Sequence, residues 1–152
     1  MSLKNLLTIC TLILPILLLG CKKDKCPQFS NDDVWACYNE KTWDSLQIKN
    51  TLIGEWKWAC INCSSISEMV DDNRFDGLTI DFNSNNSLEV KEDGQTTQTS
   101  TWKVVYGNLG FFRIDVSPAV NQLDGIILLC DDRLEFQLSQ IDLCDNHFIR
   151  KD

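Results

Sequence analysis

The chain has 152 residues, 43% hydrophobic and 24% charged, with 22 acidic side chains against 14 basic and a net charge of −8 at pH 7. That length accommodates one domain plus a leader, and the acidic balance excludes a nucleic-acid backbone as the natural partner, because neutralising phosphates requires an excess of Lys and Arg. The charge is chiefly a solubility property.

The leader comes first. Lys4 supplies a positive residue, and Leu6 to Leu19 is an apolar run containing Pro15, short and weakly flanked for a membrane-spanning helix. It ends in Leu18-Leu19-Gly20-Cys21, which resembles the lipobox of bacterial lipoprotein precursors. The resemblance implies that residues 1–20 are a signal peptide cut before Cys21, with diacylglycerol on the Cys21 sulfur and an acyl chain such as palmitate on the new amine. Each buried methylene contributes about 0.8 kcal/mol, and several chains give stable anchoring where one is marginal. Lys22 stands where an acidic residue marks retention in the inner membrane, so resemblance to sorting patterns implies the outer membrane, on its periplasmic or exposed face.

Residues 21–47 read as a lipidated tether and a short capping helix, and residues 48–152 as a barrel domain. Asn31-Asp32-Asp33 can cap a helix running to about Lys41, with Val34, Trp35, Cys37 and Tyr38 as its apolar stripe. A helix placed there could close one end of the barrel. The first strand follows, with Leu52, Gly54, Trp56, Trp58 and Cys60 alternating onto an inward face. Ile61 to Asp76 is a polar loop with Glu68, Met69, Val70 and Phe75 as lid or packing residues. Short alternating runs then centre on Ile80, Val90, Trp102, Ile114, Leu128, Phe136 and Phe148, separated by turn residues such as Asn85-Asn86, Asp93-Gly94, Gly107 to Gly110 and Asp131-Asp132. The expected fold is therefore all-β: a small eight-stranded antiparallel up-and-down barrel with a short N-terminal helix, and a two-sheet sandwich as its rival.

Gly54-Glu55-Trp56 resembles the Gly-x-Trp signature of lipocalins, and Arg150 occupies the place of the arginine that packs over that tryptophan. The resemblance, covering about residues 48–151, implies a lipocalin-like barrel closed at that end. It also implies a ligand space at the open end, for which Trp58, Phe82, Trp102 and Phe112 are the lining candidates. Eight strands either fill with side chains or hold one small ligand. Here Trp56, Trp58, Phe82, Trp102, Tyr106, Phe112, Phe136 and Phe148 are expected to crowd the interior. Gly54, Trp56 and Arg150 read as a structural motif.

Cys26, Cys37, Cys60, Cys63, Cys130 and Cys144 remain after the leader and the lipidated cysteine are set aside, enough for up to three disulfides in an exported chain. Strands of about six residues hold the barrel ends about 20 Å apart, beyond the roughly 7 Å a disulfide can bridge. Cys130 is then expected to pair with Cys26 or Cys37, and Cys144 with Cys60 or Cys63. Cys60, Cys63, Cys144 and His147 could alternatively ligate zinc, but the oxidising context favours disulfides and no metal is expected. The acidic run Asp71 to Gly77 misses calcium-loop spacing.

With one histidine and no Gly-x-Ser-x-Gly, P-loop or His-Glu-x-x-His, the sequence points away from an enzyme, and no cofactor is expected. The expected function is that of a lipid-anchored envelope lipoprotein binding a small apolar ligand or a protein partner at the open end. A structural or interaction lipoprotein with a filled barrel is the alternative.

Overall fold

The computed structural model describes residues 31–63, 74–107, 110–138 and 144–151. The signal segment, Cys21 and Cys26 lie outside the described residues, as do Glu68, Met69 and Val70 and the start of the acidic run.

Two helices, α1 (Asn31–Asn39) and α2 (Ser45–Leu52), precede eight strands: β1 (Gly54–Cys63), β2 (Leu78–Phe82), β3 (Ser87–Glu92), β4 (Gln95–Tyr106), β5 (Phe112–Ser117), β6 (Ile126–Cys130), β7 (Arg133–Gln137) and β8 (Cys144–Arg150). Every pairing is antiparallel, and the strands run in the order β5-β4-β3-β2-β1-β8-β7-β6. The first and last strands therefore join, with Trp56 opposite Arg150. The result is an antiparallel up-and-down barrel of lipocalin-like topology, nearly closed, with a seam where β5 and β6 form the two edges of the sheet.

Local chemistry sets the turns. Asp93 and Gly94 between β3 and β4 both have positive φ, the left-handed pair that a two-residue hairpin requires and that Asp-Gly adopts readily. Asn86 and Asp131 adopt the same region at the β2–β3 and β6–β7 turns, consistent with the tolerance of short polar side chains for it.

Alternation builds the core. Trp56, Ile80, Phe82, Leu88, Trp102, Ile127, Leu129, Leu134, Phe136 and Phe148 belong to one buried cluster inside the barrel. Ile48 and Leu52, one turn apart on α2, join that cluster, so α2 is the plug of the barrel's closed end. This helix was not expected. Asp44 begins it with a capping box, its carboxylate accepting from the Gln47 amide at 2.8 Å while the Gln47 side chain accepts from the Asp44 amide at 3.0 Å.

The plug corrects two expectations. Leu52 ends a helix instead of starting the strand. The capping role assigned to the helix near residue 31 belongs to α2; α1 instead lies outside the barrel, where Val34 and Tyr38 pack on Leu128 and Cys130 of β6.

Two further residues depart from expectation. Tyr106, expected inside, is 65% exposed, because β4 continues beyond the closed end in a hairpin with β5 that has left the core. Cys60, expected to face inward beside Trp58, faces outward. A register shift between Trp58 and Cys60 inserts Ala59 as an extra residue and reverses the alternation. Trp58 consequently opposes inward Phe148, whereas Cys60 opposes outward His147.

Candidate functional site

At the closed end Arg150 lies over Trp56, its guanidinium carbon 4.4 Å from the ring centroid. Nη1 donates to the Ile53 carbonyl at 3.1 Å and Nη2 to the Thr51 carbonyl, while the Trp56 indole N–H donates to the Leu52 carbonyl at 2.7 Å. The last carbonyls of a helix lack intrahelical partners, and here the strand pair β1 and β8 supplies them. Gly54 is required for that approach, since a Cβ on its positive-φ backbone would stand 3.0 Å from Arg150 Nη1. The glycine, the tryptophan and the arginine together join the plug to the wall, which is structural work.

The four candidate lining residues are all buried and belong to one core cluster. Phe82 and Trp102 meet edge to face at 5.0 Å, and the Trp102 N–H donates to the Ser87 carbonyl at 2.9 Å near the closed end. Trp58 sits elsewhere, edge-on to Phe75 at 5.5 Å with its N–H donating to Asn146 Oδ1 at 3.2 Å. Phe112, a member of the same cluster, also meets the exposed Tyr106 edge to face at 5.0 Å. The three indole N–H groups at Trp56, Trp58 and Trp102 thus bond to the protein, and the rings pack on one another.

At the seam, the connector from β5 to β6 turns inward. Val120 and Leu123 are buried in the core, and Gln98 and Ser100 of β4 hold the connector by bonds to the Pro118 and Ala119 carbonyls. From outside, α1 reaches both edges. Cys37 is disulfide-bonded to Cys130 of β6, Lys41 pairs with Asp131 at 3.4 Å, and Trp35 meets Phe111 of the β4–β5 hairpin edge to face at 5.4 Å. The seam therefore carries a partly exposed aromatic border of Trp35, Trp43, Phe111 and Tyr106.

The second disulfide, Cys63 to Cys144, fastens the open end of β1 to β8 across directly opposed residues. Both pairings fall within the expected alternatives. Cys60 is also disulfide-bonded, so none of Cys60, Cys63 and Cys144 offers a thiolate for zinc. Sulfur and carboxylate atoms of Cys37, Cys130 and Asp131 also converge, but there too the sulfurs are spent on each other.

Sequence reasoning missed a polar group on the outer face. Glu135 of β7 and His147 of β8 are opposed in register and each 1% exposed, with Oε2 and Nδ1 3.4 Å apart. Asp145, wholly buried, accepts from the Leu138 amide at 2.7 Å. Burial, and secondarily the charge of Asp145, push the Glu135 carboxyl up to about 8. Burial pushes His147 down to about 4, against the opposing pull of Asp145. Near neutral pH both groups are uncharged, and the acid can offer its proton to the imidazole.

This cluster predicts a pH profile. Between about 4.5 and 6.5 the folded pair holds one proton on Glu135 and the unfolded pair one on His147, so their contributions cancel. From 6.5 to about 8 only the folded state keeps a proton, and stability falls as pH rises, by about 2 kcal/mol at most. Below 4.5 the unfolded pair gains a second proton, on Glu135, while the folded His147 takes none until about 4, so stability falls again toward pH 4. Urea midpoints of the wild type and Glu135→Gln at pH 6.5 and 8 check this: the variant should lose the alkaline decline, and equal slopes would contradict it.

Fold and site together define a small lipocalin-like barrel, nearly closed, with a helix packed into one end and an open seam. No protein-family model, curated protein or solved structure matches the chain.

Proposed function

We propose that the protein is a non-enzymatic, lipid-anchored lipoprotein of the bacterial envelope, an interaction module that meets an envelope partner through the rim of a filled barrel. The observation that carries this reading is the interior itself. Trp56, Phe82, Ile80, Leu88, Phe136 and Phe148 are each at most 1% exposed within one continuous cluster, and the indole donors are bonded to the protein. Small-molecule sites are concave, with a few convergent polar groups that fix a ligand; here those groups are engaged with the fold. Anchoring rests on the resemblance of Leu18 to Cys21 to a lipobox.

A second reading, binding of a small apolar molecule, is favoured by the seam between β5 and β6, where the sheet is unpaired and aromatic side chains are partly exposed. Native mass spectrometry of protein purified from its own membrane separates the two. A stoichiometric small-molecule adduct would overturn the filled-barrel reading, whereas adduct-free protein that crosslinks to an envelope protein supports it. Metabolic labelling tests the anchor: Cys21→Ser should lose fatty-acid label and release the domain into the soluble fraction, and label retained on the variant would overturn the lipoprotein assignment.

A further inference from the structure

Strand β6 is buried on both faces although it is an edge of the sheet. Ile127 and Leu129 point into the main core, whereas Leu128 and Cys130 point outward and are buried with Val34 and Tyr38 of α1 in a second cluster. One side of β6 has no strand bonded to it, since β5 and β6 end the sheet. Such an edge needs a cover. α1 supplies it and reaches on toward the other edge, where Trp35 meets Phe111 edge to face at 5.4 Å.

We propose that α1 is a strap over the seam, latched by the Cys37–Cys130 disulfide, and that reduction of this one bond lifts α1 while the barrel stays folded. The non-covalent hold is modest. Val34 and Tyr38 are the two side chains of α1 buried against β6, Trp35 adds its ring contact, and the Lys41–Asp131 pair is exposed and therefore weak. Trp43 adds a stack on Tyr38 and a bond from its indole N–H to the Tyr38 carbonyl at 3.0 Å. Helices shorter than about 12 to 15 residues are marginal in water without tertiary contacts, and α1 has nine residues. The disulfide ties its last turn to the last residue of β6.

With that bond intact, a lifted α1 stays beside its seat and returns to it. With the bond open, α1 can swing on residues 39–42, all of them exposed. The motion stops at Trp43, which packs on both buried clusters, so the plug built on Ile48 and Leu52 is left in place. Cys63 and Cys144 differ, because they join two strands that also share a backbone ladder.

The opening step is thiol–disulfide exchange with a protein dithiol. One thiolate of the reductant attacks Sγ of Cys37, the less buried partner, to form a mixed disulfide, and Cys130 leaves as a thiolate that takes up a proton. The second thiol of the reductant then displaces Cys37. Two electrons and two protons have passed to the protein, and the reductant departs as a disulfide. The redox state of one bond thereby sets whether the seam is covered, independently of the lipid anchor and of what the barrel binds.

The test is hydrogen exchange of the full-length protein before and after native-state titration with dithiothreitol, with differential alkylation and mass mapping to show which bond has opened. Once Cys37–Cys130 is open and Cys63–Cys144 intact, the amides of 35–39 should exchange within about tenfold of the rate of an unstructured peptide. Those of β1 and β8 should stay protected, and reoxidation should restore slow exchange in α1. Cys37→Ser/Cys130→Ser gives the same reading without reductant if dithiothreitol opens both bonds together. Exchange at 35–39 that does not differ between the latched and opened forms overturns the strap. Loss of protection along β6 and β7 together with α1 also overturns it, because the bond would then be holding the sheet and not a lid.

Discussion

Trp56→Ala is expected to lower folding stability by about 3 to 5 kcal/mol, the usual range for deleting a buried tryptophan. The loss has three sources. The indole is wholly buried in the main cluster, its N–H satisfies the Leu52 carbonyl, and its face supports the Arg150 guanidinium. Removing it therefore leaves a cavity between plug and wall and frees a helix carbonyl. Arg150→Ala should cost less, about 2 to 3 kcal/mol, because the ring stays packed while two charge-assisted bonds to helix carbonyls and one cation–π contact are lost. Since both side chains act on the end of α2, the double variant should lose less than the sum of the two singles. Urea unfolding of the three variants measures this. Strict additivity would mean that the arginine and the tryptophan do not act as one joint.

What was legible in the sequence follows from how local each signal is. Alternation around Trp56, Phe82, Trp102 and Phe148 depends on one strand at a time, and the Asp93-Gly94 and Asp131-Asp132 turns depend on adjacent residues. Those features emerged at the expected places, and with them the eight-strand order and the pairing of the first strand with the last. The plug α2 was hidden because only Ile48 and Leu52 carry its buried face, too few to display a helical period. The signal that could have found it is Asp44-x-x-Gln47, the capping box at its start. Ala59 shows a different limit. A single inserted residue leaves no mark in composition or spacing, yet it turns Cys60 from the core to the outer face. Glu135 was read past, and His147 was weighed only as a zinc ligand, for a related reason: on a strand with one buried face, a polar residue in the alternate position belongs outside, and burial of that outer face depends on other parts of the chain. The expectation about Tyr106 failed because alternation tells which side a residue takes but not how far a hairpin runs beyond the core.

The double variant Cys63→Ser/Cys144→Ser is expected to lose about 4 to 5 kcal/mol in the chain-entropy model, in which a bond closing 81 residues restricts the unfolded chain strongly. Cys37→Ser/Cys130→Ser closes 93 residues and should cost nearly the same by that term. The native states should respond differently, and that difference is the more informative result. Cys37 and Cys130 hold α1, which also keeps Val34 and Tyr38 packed on β6, so the barrel should persist when that bond is gone. Cys63 and Cys144 instead hold the open end of the β1–β8 pairing, immediately beside Asp145, whose carboxylate is wholly buried and accepts from the Leu138 amide. Release there should let water reach Asp145 and then His147, so local opening should begin at the start of β8. Amide hydrogen exchange resolves the two cases. Faster exchange at Leu138 and along 144–147 is expected only in the Cys63→Ser/Cys144→Ser protein, with the amides of 148–150, beside Trp56 and Arg150, still protected. Uniform loss of protection along β8 would show that the strand opens as one unit and that the closed end does not hold it independently.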